Sequence, residues 1–420
     1  MTVPVVSPYA SLRIPNFRRY VLAVVAMTLA TMIQGTIVGW QVYELTHDTL
    51  ALGLIGLAEA LPYIAASLFA GHVADRYDRR YVALAALTVV LLSAVALLIL
   101  PSLLSTSPGG LVRAIFAVIA ISGFARSFLI PARQTLGAEI VPRELFANSV
   151  TWRSGAWQLA AVLGPALGGG LYALGGIRLA YSVDAALVVV GMLALTMVRR
   201  TPHRPSSSGE SIATSLAAGV RFVFGERIVL GALSLDLFSV LFGGATALLP
   251  VYAAEILHVG PQGLGLLRSA PSIGAVITSA ILMHAKPFQH TGRVLLQAVA
   301  IFGLTIIVFG LSTSVWVAVT ALAVGGAADM VSVFIRSTLL TTRTPPEMLG
   351  RVMSVNGIFV GSSNEIGAFE SGLTARWFGA VPSVVLGGAM TLVVVAVTAW
   401  RNATLRSLGR MEPPPMAPPS

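Results

Sequence analysis

The sequence predicts an all-α membrane protein of twelve transmembrane helices, laid out as two parallel six-helix repeats. Three observations carry this expectation. Of the 420 residues 56% are apolar and only 10% charged, apolar stretches of spanning length recur along the whole chain, and the first set of stretches is echoed by the second. A soluble domain carries about 25% charged residues and hides its apolar surface in one core. A mean hydropathy of +0.84 leaves too little polar surface for that.

A helix needs about 20 apolar residues to cross a hydrocarbon layer about 30 Å thick. Segments 20–40, 81–100 and 381–400 meet that length, and further candidates lie at 51–70, 111–133, 149–172, 179–198, 228–252, 261–283, 293–312, 315–340 and 352–374. The connections between them are short and leave no room for a soluble domain. Residues 1–20 carry Arg13, Arg18 and Arg19 but no apolar stretch ahead of a small-residue cleavage site, so the first helix is expected to stay in the protein.

Basic residues near helix ends are retained on the cytoplasmic side. With the N-terminus inside, the even-numbered connections hold Arg76, Arg79, Arg80, Arg143, Arg199, Arg200, Arg204, Arg221, Arg227, Lys286, Arg293, Arg343 and Arg351, and the opposite ones hold little beyond Arg178 and Arg376. Both termini are therefore expected in the cytoplasm. The net charge of +10 reports this bias and contact with membrane lipids, and no basic domain is offered to nucleic acid. Cysteine is absent, which excludes disulfides and thiolate metal sites. The only lysine, Lys286, sits between Ala285 and Pro287, so no P-loop exists and no nucleotide, metal or other cofactor is expected.

Comparison of the chain with itself gives the repeat. An offset of 203 pairs Ala120, Gly123, Ala125, Arg133, Thr135, Leu136, Pro142 and Glu144 with Ala323, Gly326, Ala328, Arg336, Thr338, Leu339, Pro345 and Glu347. An offset of 209 pairs Gly56, Leu57, Pro62, Ile64 and Ala66 with Gly265, Leu266, Pro271, Ile273 and Ala275. The copies are six spans apart, an even number, so the halves share one orientation. The expected division is a first half at 1–198, a cytoplasmic linker with an interfacial helix at 199–227, a second half at 228–401 and a disordered, proline-rich cytoplasmic tail at 402–420. Within the linker, Ile212, Leu216, Val220 and Val223 recur at helical spacing and suggest an amphipathic helix on the membrane surface.

Two motifs follow. After the second span, Gly71-His-Val-Ala-Asp75-Arg76-Tyr-Asp78-Arg79-Arg80 resembles the loop 2–3 signature of the major facilitator superfamily, with Asp78 where that family usually has glycine. The fifth span contains Ala160, Gly164, Pro165, Gly168 and Gly169, similar to the family's antiporter signature with Ala160 in place of its first glycine. Small residues let helices approach closely and Pro165 bends the helix. The stretches Pro131-Ala-Arg-Gln and Val141-Pro-Arg-Glu-Leu, with Asp236, Gly243, Gly244 and Pro250, most resemble the superfamily branch of enterobactin exporters and related drug-efflux permeases. The resemblance implies the major facilitator fold, a monomer in the bacterial cytoplasmic membrane, and a cytoplasmic gate built from Gly71, Asp75, Arg76, Arg79 and Arg80. One element of many drug/proton antiporters is missing: Val118 stands where their helix 4 arginine lies.

Charges inside spans are costly, about 2.5–3.5 kcal/mol each at a helix centre, and so face protein or water. Here Glu59, Asp236, Asp329 and Glu365 are matched by opposite charges on Arg126, Arg153, Arg268 and Arg336, and the repeat sets Glu59 opposite Arg268 and Arg126 opposite Asp329. Gln34, Gln41 and Asn364 fall on the same polar stripes. Glu59, Asp236, Asp329 and Glu365 are the proton-coupling candidates, since a carboxylic acid in a low-dielectric cavity can trade a proton for substrate or for an arginine. The alternative is a permanent ion pair that fixes helix packing. Gln34, Gln41, Arg126, Arg153, Arg268, Arg336 and Asn364 are the substrate-cavity candidates. The resemblance implies that the helix carrying Asp184 is peripheral, so Asp184, near its outer end, is expected to be a structural cap.

The function expected is secondary active transport of a small amphipathic molecule, such as a siderophore or drug, by proton-coupled antiport and alternating access. An uptake symporter or facilitator is the alternative, and a non-transporting receptor is less well supported because the chain has no sensing domain. The absence of His-Glu-x-x-His and Gly-x-Ser-x-Gly spacings argues against an enzyme.

Overall fold

The computed structural model describes residues 7–199, 212–286 and 288–409, with the main chain alone at 68, 71, 72, 74, 75, 143 and 212–215. Arg200, Arg204, Ile212's side chain and the tail from 410 onward lie outside this description.

Local signals start and stop each helix. Helix α1 (Pro15–Thr46) begins at a proline, whose missing N–H costs nothing in a first turn, and ends at His47 in the left-handed region with φ 47°. Asp48 then caps α2 (Thr49–Arg76) by accepting from the Leu50 N–H at 2.9 Å. Asp78 does the same for α3 (Arg79–Leu103), accepting from the Arg80 N–H at 2.9 Å. The residue that replaces the family's glycine is thus a helix cap. Helix α4 (Pro108–Glu139) again opens on proline.

Helix α5 (Phe146–Thr196) runs 51 residues and contains two of the expected spans, 149–172 and 179–198. They are separated at Gly175 and Gly176, whose backbone is not helical, and Gly176 holds φ 65° and ψ −165°, a conformation essentially restricted to glycine. Ahead of α1, the Pro8 carbonyl accepts from Asn148 Nδ2 at 2.7 Å and Trp152 Nε1 at 3.0 Å, with the Tyr9 and Trp152 rings 5.8 Å apart.

Helix α6 (Ile212–Gly225) falls where the interfacial helix is expected, but its apolar stripe is divided. Val223 is fully buried with Val229, Leu233, Leu340 and Val355, whereas Val220 and Phe224 are exposed. Gly219 lies against the Arg351 main chain. One face of α6 therefore packs on protein.

Helix α7 (Arg227–Phe242) stops at Gly243, earlier than the continuous span expected over 228–252, and the chain goes on through turns to α8 (Leu249–Val251) and a π-turn at Tyr252–Ile256. At the break the Gly244 carbonyl accepts from the Ala247 N–H at 3.5 Å and from Ser371 Oγ at 3.2 Å. In an apolar layer such a carbonyl needs a protein donor. Next come α9 (Gly260–His284), α10 (Thr291–Leu311), α11 (Val315–Arg343), α12 (Pro346–Phe378), α13 (Ala380–Arg401) and the short α14 (Ala403–Arg406).

Residues 402–409 correct the expectation of a disordered tail from 402. Asn402 Nδ2 donates to the Arg227 carbonyl at 3.2 Å, the Gly292 N–H donates to the Leu408 carbonyl at 3.2 Å, and Leu405 is fully buried. Every third residue faces the helices here, with Asn402 bonding and Leu405 and Leu408 packing, and this docks the turn.

Among the described residues ten helices are long and apolar enough to span a membrane. One of them is the two-armed α5, and α12 is long enough but too polar to be counted, which fits twelve crossings. By packing the chain divides into two units, Met1–Ser208 with His258–Ser269, and Gly209–Leu257 with Ala270–Ser420. In the first, α1 packs on α5 and α2 and α3 pack on α4 around Phe17, Tyr20, Leu87, Ile115 and Tyr181. In the second, α10 packs on α11 and α13, and α7 on α12 and α13, around Leu235, Leu295 and Ile335.

Candidate functional site

The first unit holds a polar chain in its interior. Gly123 on α4 has no side chain, and a Cβ there would collide with the Glu59 main chain, so α2 and α4 meet backbone to backbone. One turn further along α4, Arg126 reaches Glu59 Oε1 with Nη1 at 2.5 Å and Gln34 Oε1 with Nη2 at 2.7 Å. Gln34 Nε2 in turn donates to Asp184 Oδ2 at 3.4 Å. The amide orientation follows from these two neighbours, one a donor and one an acceptor.

These groups border a cavity of about 210 Å³ lined by Thr31, Gln34, Gly35, Glu59, Val118, Ser122 and Arg126 among others. Exposure is uneven along the chain: the Glu59 side chain is 39% exposed and Arg126 13%, while Asp184 is buried. A carboxylate that opens onto a cavity and is held by one arginine can change protonation and release that arginine.

Asp184 is where the sequence expectation fails. It sits within the second arm of α5 and is fully buried against Gln34, so it belongs to the polar chain and caps nothing. The signal that could have found it is the one applied to the other acids, a lone carboxylate inside an apolar run.

Other candidates are dispersed. Gln41 is buried and accepts from the Tyr181 hydroxyl at 2.7 Å, so packing accounts for it. Arg153 lies over the Tyr20 ring, 5.9 Å from its centroid. Arg268 on α9 stands beside Gly35 of the first unit, its Nη1 3.8 Å from where a Cβ on Gly35 would be.

In the second unit Asp236 of α7 and Arg336 of α11 form an ion pair with both side chains under 10% exposed (8% and 7%). Asp329, two turns before Arg336, has no ion-pair or hydrogen-bond partner among the described residues. Glu365 is half-buried, and Asn364 is exposed and donates to its own helix at the Val360 carbonyl, 2.9 Å away. Gly357 and Gly361, on the same side of α12, face open space.

The loop after α2 is tied to neighbouring helix ends. Arg79 pairs with Glu139 at the end of α4, and Arg80 donates to the Thr196 carbonyl at the end of α5, where a cation complements the helix dipole. Arg76 is exposed. The Asp75 side chain and the surroundings of Gly71 lie outside this description.

The fifth-span motif is a two-sided seam. Gly164 and Gly168 face α1, where a Cβ would crowd Met32 and Ile33, and Gly169 faces α9, where a Cβ would collide with the Pro261 carbonyl. Ser269 Oγ donates to the Val162 carbonyl at 2.7 Å, on the turn ahead of Pro165.

A duplicated helical protein with opposite charges buried inside its spans is a multi-pass membrane transporter of the major facilitator superfamily, not an enzyme. Over residues 6–417 the chain matches the family model described as "Transmembrane secretion effector", and it belongs to that family. It is 29% identical over 417 residues to a Citrobacter koseri protein named enterobactin exporter EntS, covering 96% of this chain and 95% of that protein. Among solved structures it is similar to a POT family transporter in complex with a thioalcohol conjugated peptide, with a TM-score of 0.73 at 13% identity over 93% of this chain and 96% of the other. It also resembles a bacterial homolog of the human lysosomal transporter Spinster in an inward-facing, unoccupied conformation, with a TM-score of 0.68 at 15% identity over 95% and 99%.

Proposed function

We propose that this protein is a proton-driven exporter of a small amphipathic molecule, of the siderophore or drug type, working by alternating access in a bacterial cytoplasmic membrane. In this reading it is a monomer with both termini in the cytoplasm, held among membrane lipids. The observation that carries the proposal is the Glu59–Arg126–Gln34–Asp184 chain on the cavity of the first unit. A proton arriving on Glu59 cancels its attraction for Arg126, and the freed guanidinium turns to other acceptors; loss of the proton restores the pair. Proton and substrate then compete for one group. Asp329 and Glu365 are further carriers in this reading, while Asp236, locked with Arg336, is a packing element. Export is supported by the relative's name and by the glycine-proline seam of α5.

Inverted membrane vesicles carrying the full chain test it. A pH gradient should drive uptake of a catechol siderophore or a cationic dye into the vesicles, and Glu59→Gln should lower the driven rate by about tenfold or more, a barrier change of about 1.4 kcal/mol. Transport indifferent to collapsing the gradient sinks the coupling, and protons moving in the same direction as substrate indicate uptake instead.

A further inference from the structure

Arg268 is a half-buried cation whose Nε is shut away from solvent and which has no counterion among the described residues. It lies on α9 eight residues past Gly260, about 12 Å along the helix from its start. Its Nε is buried and has no hydrogen-bond partner, and none of its nitrogens meets a carboxylate among the described residues. Three acids of the first unit are committed elsewhere: Glu59 to Arg126, Asp184 to Gln34, and Glu44 to the Tyr172 hydroxyl at 2.5 Å.

A guanidinium stays charged at any physiological pH, and burying one of its N–H groups without an acceptor is costly. Such a group is retained where something outside the chain completes it. The surroundings are built to hold it in place. Gly265 lies against Pro165 and Ala166, Gly169 against Pro261, and Ser269 is bonded to Val162, so the first turns of α9 are fixed to α5 on both sides of the arginine. On the α1 side the neighbour is Gly35, which lines the cavity and whose missing side chain leaves room at Nη1.

We infer that Arg268 is the recognition group for an anion on the transported molecule, one that presents two oxygens side by side such as a carboxylate, catecholate or sulfonate, bound at the Gly35 side of the cavity. This rests on the transport reading above and names the substrate class that reading leaves open. The two arginines then divide the work: Arg126 is held or released by the proton on Glu59, and Arg268 answers to the ligand's anionic charge throughout. Guanidinium forks match such acceptors with two parallel hydrogen bonds.

The test is binding to the purified full chain in detergent, without any gradient, using naphthalene-1-sulfonate and the uncharged naphthalene-1-sulfonamide as probes. The sulfonate should bind about 10- to 100-fold more tightly than the sulfonamide, the range expected for a charge-assisted hydrogen bond. Arg268→Gln should bring the two probes to equal affinity, and Arg268→Lys should keep part of the preference. Gly35→Val, which fills the space beside the guanidinium and leaves its charge in place, should weaken the sulfonate more than the sulfonamide, and it serves where Arg268→Gln does not fold. Equal binding of both probes by the unaltered chain, no binding of either, or an undiminished preference in folded Arg268→Gln overturns the inference. A failed gradient experiment leaves this preference standing, and a lost preference leaves gradient-driven export of a cationic dye standing, so the two readings fail separately.

Discussion

At the scale of single residues, the two buried ion pairs do different jobs. Asp236 and Arg336 are both shut away from solvent, so removing one partner strands the other. Asp236→Ala should lower stability by about 3–5 kcal/mol, whereas Asp236→Leu combined with Arg336→Leu should recover most of the loss. Thermal unfolding in detergent decides this, and a double variant no better than the single one would mean that the pair does more than pack. Glu59 is partly open, so the same logic gives a smaller effect on stability there and a larger one on transport. The sequence made the charges inside the spans legible, because any carboxylate or arginine in an apolar run is conspicuous. It did not make their partners legible. Helix rotation decides those, and rotation is set by contacts such as Gly123 on the Glu59 main chain, which no pattern of charges encodes. Asp184 was masked by a different error, its assignment to a peripheral helix on the strength of the family resemblance.

At the scale of elements, glycines determine where helices break and where they touch. Gly176, at φ 65° and ψ −165°, joins the two arms of α5. Gly176→Ala should cost about 1–3 kcal/mol because a Cβ is not tolerated in that region, while Gly170→Ala, with open space around it, should be close to neutral. Equal losses at the two sites, measured by unfolding, would show that the break is not strained. Gly169→Ala should be worse than Gly170→Ala for a separate reason, collision with the Pro261 carbonyl. These two adjacent glycines are indistinguishable by composition. The spans flanking Gly175 and Gly176 were readable from apolar runs, and so was α12, despite the serines, glycines and Glu365 that make it the least apolar of the long helices. The stop of α7 at Gly243 was not readable, since the apolar run continues through Leu248, Leu249 and Val251, and the donors that make the broken backbone tolerable include the Ser371 hydroxyl of a distant helix.

At the scale of the whole molecule, duplication left a plan that was visible in the sequence and then diverged in detail. The positions of Glu59 and Arg126 recur as Arg268 and Asp329 with the signs exchanged, and within the first unit Glu59 and Arg126 are joined. The loop after α2, with Arg79 on Glu139 and Arg80 on Thr196, has no counterpart pattern near His284 to Arg293. There the second unit uses residues 402–409 instead, wedging Leu405 and Leu408 beside Gly292. Leu405→Ala should lower stability by about 2–5 kcal/mol, as for other fully buried leucines, and should speed proteolysis after Arg401 in the full chain. An unchanged cleavage rate and melting point would mean the turn is only loosely docked.

The docking of the N-terminal segment has an optical consequence. Trp152, one of six tryptophans, donates its indole N–H to the Pro8 carbonyl and lies beside Tyr9, while Trp157, Trp316, Trp377 and Trp400 are exposed. Its fluorescence therefore depends on whether the residues ahead of α1 are seated on α5. In a variant that keeps Trp152 as its sole indole, an emission shift would serve as a label-free clock for release of that segment during the transport cycle.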